Sequence, residues 1–473
     1  MTILDALNSG AFSILLSIAV WNSIIFIISY LYSGRLCKAI PLPRSPLYEP
    51  SDASVVLAVV DPPKTFTETV IQWAQQEPLE IILVTTPKWK AKVDTHVQYA
   101  IQQLAVHPPI HVLVCKIESH REQQVMGYRA AQGRIILRSD DDIFWHHPQA
   151  LSYLLAPFGS KTKPKVGARK DVRSKDSIGA VVAYRRPVVP GVSEPPVTPW
   201  QALSIKSIED LVVTQKICYA ADGGLICLIG RAVALRADLI QNEEFYKYFL
   251  NEPWIATSNV HSGDDTTITR WVQARSRTSY QSAPEAMITT LTKNTYQDWI
   301  GQCQRWLRIR YMHFIKMLWG PPRLWIRIAR QPYTTFHLIH TLTSVPLGVL
   351  YFVSWLITVQ NFLGLGLGHP HHEGKQNPHA GLLAGLFVVC QVLTHVVGVV
   401  IWTISLAQRF RLTWLDTMKI MSWRLVGSFL MGVWTWLTVW VDKWGGRTGG
   451  LDKIDVCGNR EQPKALEYKN YKE

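Results

Sequence analysis

Four short apolar runs, separated by longer mixed stretches, dominate the pattern of the first third of the chain. They cover residues 55–60, 80–85, 110–115 and 134–138 and consist mostly of Val, Ile and Leu. Runs of this length predict buried strands, and the stretches between them are long enough for crossover helices. The pattern therefore predicts an α/β fold with a mostly parallel sheet.

Longer uncharged stretches lie on both sides of this α/β segment. The first, residues 11–33, has 23 residues without a charge, which as a helix spans roughly 30 Å of hydrocarbon. Three more follow at 336–363, 380–407 and 425–441, and the last is barely long enough to span. Arginine and lysine directly after the first stretch predict that the α/β segment faces the cytoplasm.

We therefore divide the chain into a transmembrane helix (1–40), a cytoplasmic α/β domain (41–298), interfacial amphipathic helices (299–332), a transmembrane cluster (333–445) and a polar tail (446–473). The interfacial part mixes tryptophan with arginine, as is typical of helices in the headgroup plane. A plain count of four spans leaves the tail outside, whereas Lys443, Arg447 and Lys453 favour the cytoplasm. We expect a cytoplasmic tail, with residues 412–441 forming a bent or re-entrant pair.

The amino-acid composition excludes some classes of function for this chain. Hydrophobic residues make up 48% of the chain and charged residues 18%, below the roughly 25% of an ordinary soluble domain. The net charge of +14 suits anionic lipid headgroups, nucleic acid or phosphorylated substrates. Because the basic residues cluster near the predicted membrane boundaries, we expect no nucleic-acid partner. The seven scattered cysteines, without a CxxC pair, predict neither a disulfide scaffold nor a zinc cluster.

An acidic triplet, Asp140 to Asp142, follows the fourth predicted strand. Carboxylates at the carboxyl end of a strand lie where α/β sheets bind ligands. Two carboxylates one residue apart can both reach a hard divalent cation, and Mg²⁺ typically takes one or two carboxylates plus substrate phosphates. Asp140 and Asp142 are therefore candidates for a metal–diphosphate site, although a solvated acidic turn fits the same residues.

Two further motifs carry possible chemistry. Asp264 and Asp265 form an acidic pair in which a neighbouring carboxylate raises the pKa of one member, as a general base requires, although an N-cap fits equally well. Gln302 and Arg305, three residues apart, share a helical face, and Trp306 follows. Arginine offers forked donors to a diphosphate and indole offers a platform for a sugar ring. The alternative is an amphipathic helix that uses the same residues as membrane anchors.

The motifs occur in the order DxD, GDD and QxxRW, between one amino-terminal apolar helix and a carboxy-terminal cluster. In this the chain resembles the processive inverting family-2 glycosyltransferases, the group of hyaluronan, chitin and cellulose synthases. It most resembles the fungal type 2 glycosyltransferases, or capsular-type polysaccharide synthases. Further marks are DPP at 61–63, CLIGR at 227–231 and WGGR at 444–447. The resemblance implies a GT-A-type nucleotide-sugar domain inserted between transmembrane α-helices.

The resemblance also implies roles for individual residues. Asp140 and Asp142 would hold Mg²⁺ or Mn²⁺, and Asp265, with Asp264 beside it, would be the catalytic base. The residues that would bind the nucleotide sugar are Asp61, Thr85, Arg121, Asp140, Asp142, Gln302 and Arg305. Trp306 and Gly230 would contact the acceptor. The second strand ends in Val-Thr-Thr where many members have two aspartates, so recognition of the base stays open.

The implied function is that of a membrane-embedded inverting hexosyltransferase. It would polymerise a sugar from a UDP-sugar onto a growing cell-wall or extracellular polysaccharide, and synthesis would be coupled to export. Its location would be the plasma membrane, as a multi-pass protein in contact with membrane lipids. Two alternatives stay open: a transferase acting on a membrane lipid, similar to ceramide glucosyltransferase, and a catalytically inactive membrane scaffold.

Overall fold

A computed structural model of the chain describes residues 3–31, 37–117, 119–159, 177–188, 197–229, 231–252, 263–292, 295–320, 323–362, 393 and 396–438. Several sequence predictions lie outside these ranges. They are the acceptor contact of Gly230, most of the span predicted at 380–407, the WGGR motif and the side of the membrane on which the tail lies.

The helices and strands alternate over most of the α/β segment. The helices are α1 (Ile3–Leu31), α2 (Phe66–Ala74), α3 (Lys90–Gln103), α4 (His120–Ala130), α5 (Ala150–Leu155), α6 (Pro199–Asp222), α7 (Ala237–Ile240), α8 (Glu243–Leu250), α9 (Asp264–Arg275), α10 (Tyr296–Trp319), α11 (Leu324–Arg330), α12 (Pro332–Phe362), α13 (Val396–Phe410), α14 (Trp414–Ser422) and α15 (Ser428–Thr438). The strands are β1 (Ala53–Ala58), β2 (Glu80–Thr85), β3 (Ile110–Val114), β4 (Ile135–Ser139), β5 (Ile143–Trp145), β6 (Ile178–Ala183), β7 (Arg185–Val188), β8 (Ala232–Arg236), β9 (Arg277–Gln281) and β10 (Ile288–Leu291).

The main sheet has seven strands in the order β3-β2-β1-β4-β8-β6-β9. Strands β3, β2, β1 and β4 are mutually parallel, β6 is parallel to β9, and β8 is antiparallel to both of its neighbours. A second sheet has the order β5-β10-β7. The predicted α/β fold with a mostly parallel sheet is confirmed, and the four predicted strands match β1 to β4 within two residues.

The strand order places a crevice at the carboxyl ends of β1 and β4. The chain adds β2 and β3 on one side of β1 and then β4 on the other, so the order reverses between β1 and β4. In open α/β sheets, ligands bind at the carboxyl ends of the strands beside such a reversal. Asp61 comes just after β1 and the acidic triplet comes directly after β4, so the topology brings both to this edge.

Both faces of the sheet are covered at its centre, which explains why β1 and β2 are mostly apolar. On one face, Phe66 and Trp73 of α2 pack against β1 and β2. On the other face, Tyr128 of α4, Phe245 of α8 and Trp271 of α9 form a second core. Strands buried on two sides lose the alternation of apolar and polar residues that a half-exposed strand shows.

One helix in the described part of the chain is long and apolar enough to cross a membrane. It is the segment Pro332–Ile357 of α12, with 26 residues and a mean hydropathy of 1.4. Only 6% of its apolar window is buried, unlike the core helix of a soluble domain. The apolar part of α1 (Leu16–Leu31) and α13 are shorter than 18 residues within the described ranges. The multi-pass arrangement predicted from the sequence is therefore not confirmed.

The interfacial segment forms two helices whose tryptophans differ in exposure. Trp299 of α10 is buried, and its ring lies 5.5 Å from that of Trp200 and 4.8 Å from that of Trp423. Trp319, at the end of α10, is 77% exposed, and Trp325 of α11 is 65% exposed. Trp299 is therefore packed within the protein, whereas the outward tryptophans lie at the end of α10 and on α11.

Candidate active site

Hydrogen bonds from two segments, the residue before β8 and strand β10, hold the acidic triplet. The N–H of Asp140 donates to the carbonyl oxygen of Arg231 at 3.4 Å, and Nη1 of Arg231 donates to Oδ2 of Asp142 at 3.2 Å. The hydroxyl of Thr290, on β10, lies 3.4 Å from the same carboxylate oxygen. The second sheet thus touches the triplet directly, and Arg231 places a positive charge on it.

Burial and mutual repulsion raise the pKa values of two members of the triplet. Burial, then repulsion from Asp142, raises the pKa of Asp140 to about 6, against the attraction of Arg138. Burial, then repulsion from Asp142 and Asp140, raises the pKa of Asp141 to about 8. Negative charge is therefore in excess here, as is usual where carboxylates share a site.

The residues at this edge fit a divalent cation. Carboxylate oxygens are the ligands that Mg²⁺ and Mn²⁺ prefer, and a cation would relieve the repulsion within the triplet. Asp140 and Asp142 would hold it. Within the described ranges, no three His, Cys, Asp or Glu side chains are already grouped as metal ligands. The remaining ligands would therefore come from substrate phosphates, and Arg231 would have to leave Asp142.

The acidic pair Asp264 and Asp265 begins α9 directly after a tight turn. Gly263 has φ of 76°, in the left-handed region, and a Cβ there would clash with the imidazole of His313 on α10. Only glycine meets both conditions without strain. The turn places Asp264 and Asp265 in the first turn of α9, where unpaired backbone N–H groups favour negative charge.

Arg138 joins this pair to the acidic triplet. Its Nη2 donates to Oδ2 of Asp264 at 2.6 Å, and its Nη1 donates to Oδ1 of Asp265. Arg138 lies on β4, two residues before Asp140, and its side chain is buried. The structure therefore brings the DxD and GDD motifs, more than a hundred residues apart in sequence, to one place.

The two carboxylates of the pair have different surroundings. Asp264 also accepts from Nε2 of Gln124 at 2.6 Å and lies 3.0 Å from Nδ1 of His120, both on α4. Although burial alone would raise it, Arg138 and His120 hold the pKa of Asp264 well below its usual range. The side chain of Asp264 is 18% exposed and that of Asp265 is 29% exposed. Asp264 is anchored, whereas Asp265 has the more open face.

The predicted nucleoside contacts lie at the same edge of the sheet. Asp61 has φ of 51° and pairs with Lys92, Oδ1 to Nζ, at 2.8 Å. Thr85 ends β2, and Thr86 follows it. Both threonines are buried, and in the part of the chain that the structure describes neither hydroxyl has a hydrogen-bond partner. Buried polar groups are usually paired, so these two hydroxyls are exceptions.

The structure does not bring Arg121 to this edge. Its side chain is 2% exposed and donates to Glu252 at 3.1 Å and to Thr267 at 3.0 Å. A guanidinium that is buried against a carboxylate of its own chain is not presented to a diphosphate. Gln302, Arg305 and Trp306 lie on α10, where Gln302 is buried and the other two are partly buried.

Sequence reasoning gave no role to several residues that shape the site: Arg138, His120, Gln124 and Thr290. Arg231 was weighed only as an acceptor contact beside Gly230, and the structure places it on Asp142. Arg138 could have been found from the sequence, because a positive charge at the end of a buried apolar strand needs a carboxylate partner. The others reach the site from α4, β10 and the start of β8, and their placement depends on tertiary packing.

A groove lined by aromatic side chains lies at the start of α10. It has a volume of about 580 Å³, and its walls include Trp200, Tyr296 and Trp423, together with Lys419. Tyr296 comes six positions after Thr290, which contacts Asp142, so the groove begins within about 20 Å of Thr290. Stacked and edge-on rings next to a charged group suit an amphipathic ligand such as a sugar.

Comparison with known proteins gives one family and several relatives. The family described as "Glycosyltransferase like family 2" matches residues 50–308. The NDP-glycosyltransferase ltbB of Aspergillus luteorubrus is 30% identical over 331 residues, or 69% of this chain and 76% of that protein. A type 2 glycosyltransferase of Zymoseptoria tritici is 27% identical over 67% of this chain, but the match spans only 62% of that relative.

A solved structure with a similar fold is a mannosyltransferase from Pyrobaculum calidifontis in complex with GDP-Man and Mn²⁺. It is 14% identical, with a TM-score of 0.49, and the match covers 90% of this chain and 99% of that chain.

Proposed function

The chain belongs to glycosyltransferase family 2, and we propose that it transfers a hexose from a UDP-sugar, with inversion, to the growing end of a polysaccharide. Family membership establishes a glycosyltransferase that uses a nucleotide sugar and has a GT-A-like α/β fold. The UDP group, the hexose, the inversion and the polymer product belong to the proposal. The observation that carries it is Arg138, which joins Asp264 and Asp265 to the strand leading into the acidic triplet.

In the proposed reaction, Asp265 accepts the proton of the acceptor hydroxyl while that oxygen attacks the anomeric carbon. The bond from the anomeric carbon to the diphosphate breaks in the same step, and its electron pair leaves with UDP. Because attack comes from the face opposite the leaving group, one displacement inverts the anomeric configuration. A divalent cation held by Asp140 and Asp142 would neutralise the charge that develops on the diphosphate.

Arg138 and Asp264 support this base without touching the substrate. Arg138 donates to Oδ1 of Asp265 and so fixes the orientation of this carboxylate. Asp264, held by Arg138, Gln124 and His120, fixes the turn that carries Asp265. The nucleoside would lie at Asp61 and Thr85, and Gln302 and Arg305 would contact the diphosphate.

For the acceptor, we propose a sugar chain that leaves the site along the aromatic groove and past Trp306. A groove of about 580 Å³ holds two or three sugar units, within the usual range of ligand sites. We also propose that α1 and α12 to α15 embed the protein in the plasma membrane, with the α/β domain in the cytoplasm. Helix α12 and the exposed Trp319 and Trp325 support this, since Trp is enriched at membrane interfaces.

A second candidate function is transfer to a membrane lipid. A separate, mainly apolar cavity of about 480 Å³ lies between α10, α11 and α12, with Leu318, Ile339 and Leu342 in its wall and Arg323 beside them. An apolar cavity next to an arginine suits a lipid chain and a polar headgroup. An inactive scaffold is disfavoured, because the carboxylates of both acidic motifs are present and assembled.

The test is a transfer assay with membranes that contain the full-length protein, a panel of radiolabelled UDP-sugars and GDP-mannose, and Mn²⁺. We expect label from one UDP-sugar in material that organic solvent does not extract and that a matching glycosidase digests. Label in the solvent extract would establish the lipid acceptor instead. Transfer from GDP-mannose alone would overturn the UDP assignment, and binding without transfer would support the scaffold. Membranes with the Asp265→Asn variant are the control.

A further inference from the structure

Glu252 is a buried carboxylate to which three helices of the site converge. It lies just after α8 and is 3% exposed. Its Oε2 accepts from Nη2 of Arg121 at 3.1 Å and from the hydroxyl of Thr267. Its Oε1 accepts from Nζ of Lys316 at 2.9 Å and from Nη2 of Arg270. Each carboxylate oxygen therefore ties two elements together.

The charges around Glu252 make this group hard to replace. Arg121, Arg270 and Lys316 bring three positive charges to one carboxylate. Burial alone would raise the pKa of Glu252, but the neighbouring basic groups, His313 when protonated and then Arg270, Arg121 and Lys316, hold it well below its usual range. His313 lies 3.9 Å away, and because burial lowers its pKa to about 3 it adds no charge at neutral pH. Without the carboxylate, the buried Arg121 and Arg270 and the partly buried Lys316 would face one another.

The three helices joined at Glu252 are those that carry the proposed reaction. Helix α4 provides Arg121 to Glu252 and, in the same turn, His120 and Gln124 to Asp264. Helix α9 provides Arg270 and Thr267, and its first turn contains Asp265. Helix α10 provides Lys316 and carries the QxxRW motif. These contacts set the position of α9 relative to both other helices.

We propose that Glu252 is a positioning residue, which holds the helix of the base in register with the helix that contacts the acceptor. This inference rests on the proposed function, since it assumes that Asp265 and the QxxRW motif act in one reaction. Glu252 does not touch the substrate. Its effect passes through Arg270 and Lys316, and a displacement of reacting groups by about 1 Å is enough to lower a rate about 100-fold.

The test uses full-length protein in membranes and compares Glu252→Gln with Glu244→Gln. Glu244 is the matched control, because it also joins α8 to α9, by a 2.8 Å pair with Arg275, but its side chain is 76% exposed. We expect Glu252→Gln to lower kcat about 10- to 100-fold while the KM for the donor stays within about threefold. Glu244→Gln should keep kcat within about twofold, as surface pairs contribute little.

A second variant covers the case in which Glu252→Gln does not fold. Lys316→Met removes only the arm to α10 and leaves Arg121 and Arg270 paired with the carboxylate. We expect its kcat to fall about tenfold with a melting temperature close to wild type. A folded Glu252→Gln or Lys316→Met variant whose kcat matches that of Glu244→Gln would overturn the inference. A lower melting temperature with unchanged kcat would assign Glu252 a purely structural role.

Hydrogen exchange separates this inference from the proposed function. In Glu252→Gln, amides in residues 264–268 and 299–306 should exchange faster together, whereas those of β1 and β4 should not change. If wild-type protein transfers no sugar from any donor, the proposed function fails, and exchange still decides whether Glu252 couples α9 to α10. Faster exchange confined to residues next to Glu252, with α9 and α10 unchanged, would contradict the coupling.

Discussion

At the scale of single residues, Asp264 and Asp265 show how neighbouring carboxylates acquire different tasks. Asp264 is contacted by Arg138, Gln124 and His120, all three at its Oδ2. Asp265 has Arg138 on one side and a more exposed face on the other. A base must present an oxygen to the acceptor, and Asp265 has the more exposed side chain of the two, 29% against 18%.

Replacement of Asp265 by Asn should therefore remove transfer and leave donor binding almost intact. The amide keeps the shape of the side chain but cannot accept the proton, and general-base catalysis contributes about 10²- to 10⁴-fold. Steady-state kinetics and UDP binding by calorimetry are the measurements. Retention of more than half of the wild-type rate would exclude Asp265 as the base. Asp264→Asn, by contrast, should also lower the melting temperature, because it leaves Arg138 with one carboxylate instead of two.

Asp142→Ala should weaken the binding of metal and of UDP-sugar together. In the proposed site one cation connects the carboxylate to the diphosphate, so loss of the ligand affects both partners. Binding of UDP with and without Mn²⁺ measures this directly: we expect Mn²⁺ to tighten UDP binding to wild-type protein about 10-fold or more and to leave the variant unchanged. Full transfer activity in excess chelator would show that the reaction needs no metal.

At the scale of elements, the junction of α9 with α10 is close-packed and sensitive to charge. The turn at Gly263 lies directly on the ring of His313, which is fully buried. Arg270 and Lys316 also face this ring, with Glu252 3.9 Å from its Nδ1. Burial is the largest cause that lowers the pKa of His313 to about 3, so a proton there adds charge to a cluster that already has excess positive charge.

The protein should therefore lose stability as the pH falls from about 6.5 towards 5. In the unfolded chain a histidine takes up its proton near pH 6.5, whereas folded His313 does so only near pH 3. The contribution of this group to the free energy of unfolding is therefore fully present above pH 6.5 and falls below it. Protonation of this one histidine changes the free energy of unfolding by at most about 1.4 kcal/mol per pH unit. Melting temperatures measured from pH 7.5 to 5 should fall less steeply in His313→Gln. Equal slopes in both proteins would contradict this assignment.

The elements differ in how far the sequence predicts them. Strands β1 to β4 are apolar on both faces, so their runs mark them clearly. Strands β5, β7 and β10 have only three or four residues each and depend on pairing with one another, which no local pattern reveals. The same holds for Arg138: the motifs that flank it are visible in the sequence, but its two carboxylate partners come from a helix more than a hundred residues away.

At the scale of the whole molecule, the carboxy-terminal helices start and end at the α/β domain. Helix α12 begins there, since Thr334 donates to Asp222 of α6 at 2.6 Å through its hydroxyl. Helix α13 ends there, since Arg409 pairs with Glu209 of α6 at 2.7 Å. Both contacts lie on α6, and the residues between the two helices, 363–395 apart from Leu393, lie outside the described ranges.

The direction of helix α15 indicates on which side of the membrane the tail begins. Phe429 packs against Phe352, with ring centroids 6.2 Å apart, Gly432 lies beside Val345, and Trp436 packs against Tyr311 of α10. As its residue numbers rise, the contacts of α15 move from the middle of α12 towards its start. Helix α15 therefore runs antiparallel to α12, back towards the α/β domain.

We accordingly predict that the tail, residues 446–473, lies on the cytoplasmic side with the α/β domain. A cysteine placed at Glu473, with Cys457 replaced by serine, should resist a membrane-impermeant thiol reagent in intact cells and react after permeabilisation. A cysteine placed at His372, which lies between the predicted spans 336–363 and 380–407 and is expected outside the cell, is the matched control and should react in intact cells. Reaction of the Glu473 cysteine in intact cells would contradict the prediction, because it would place the tail outside the cell.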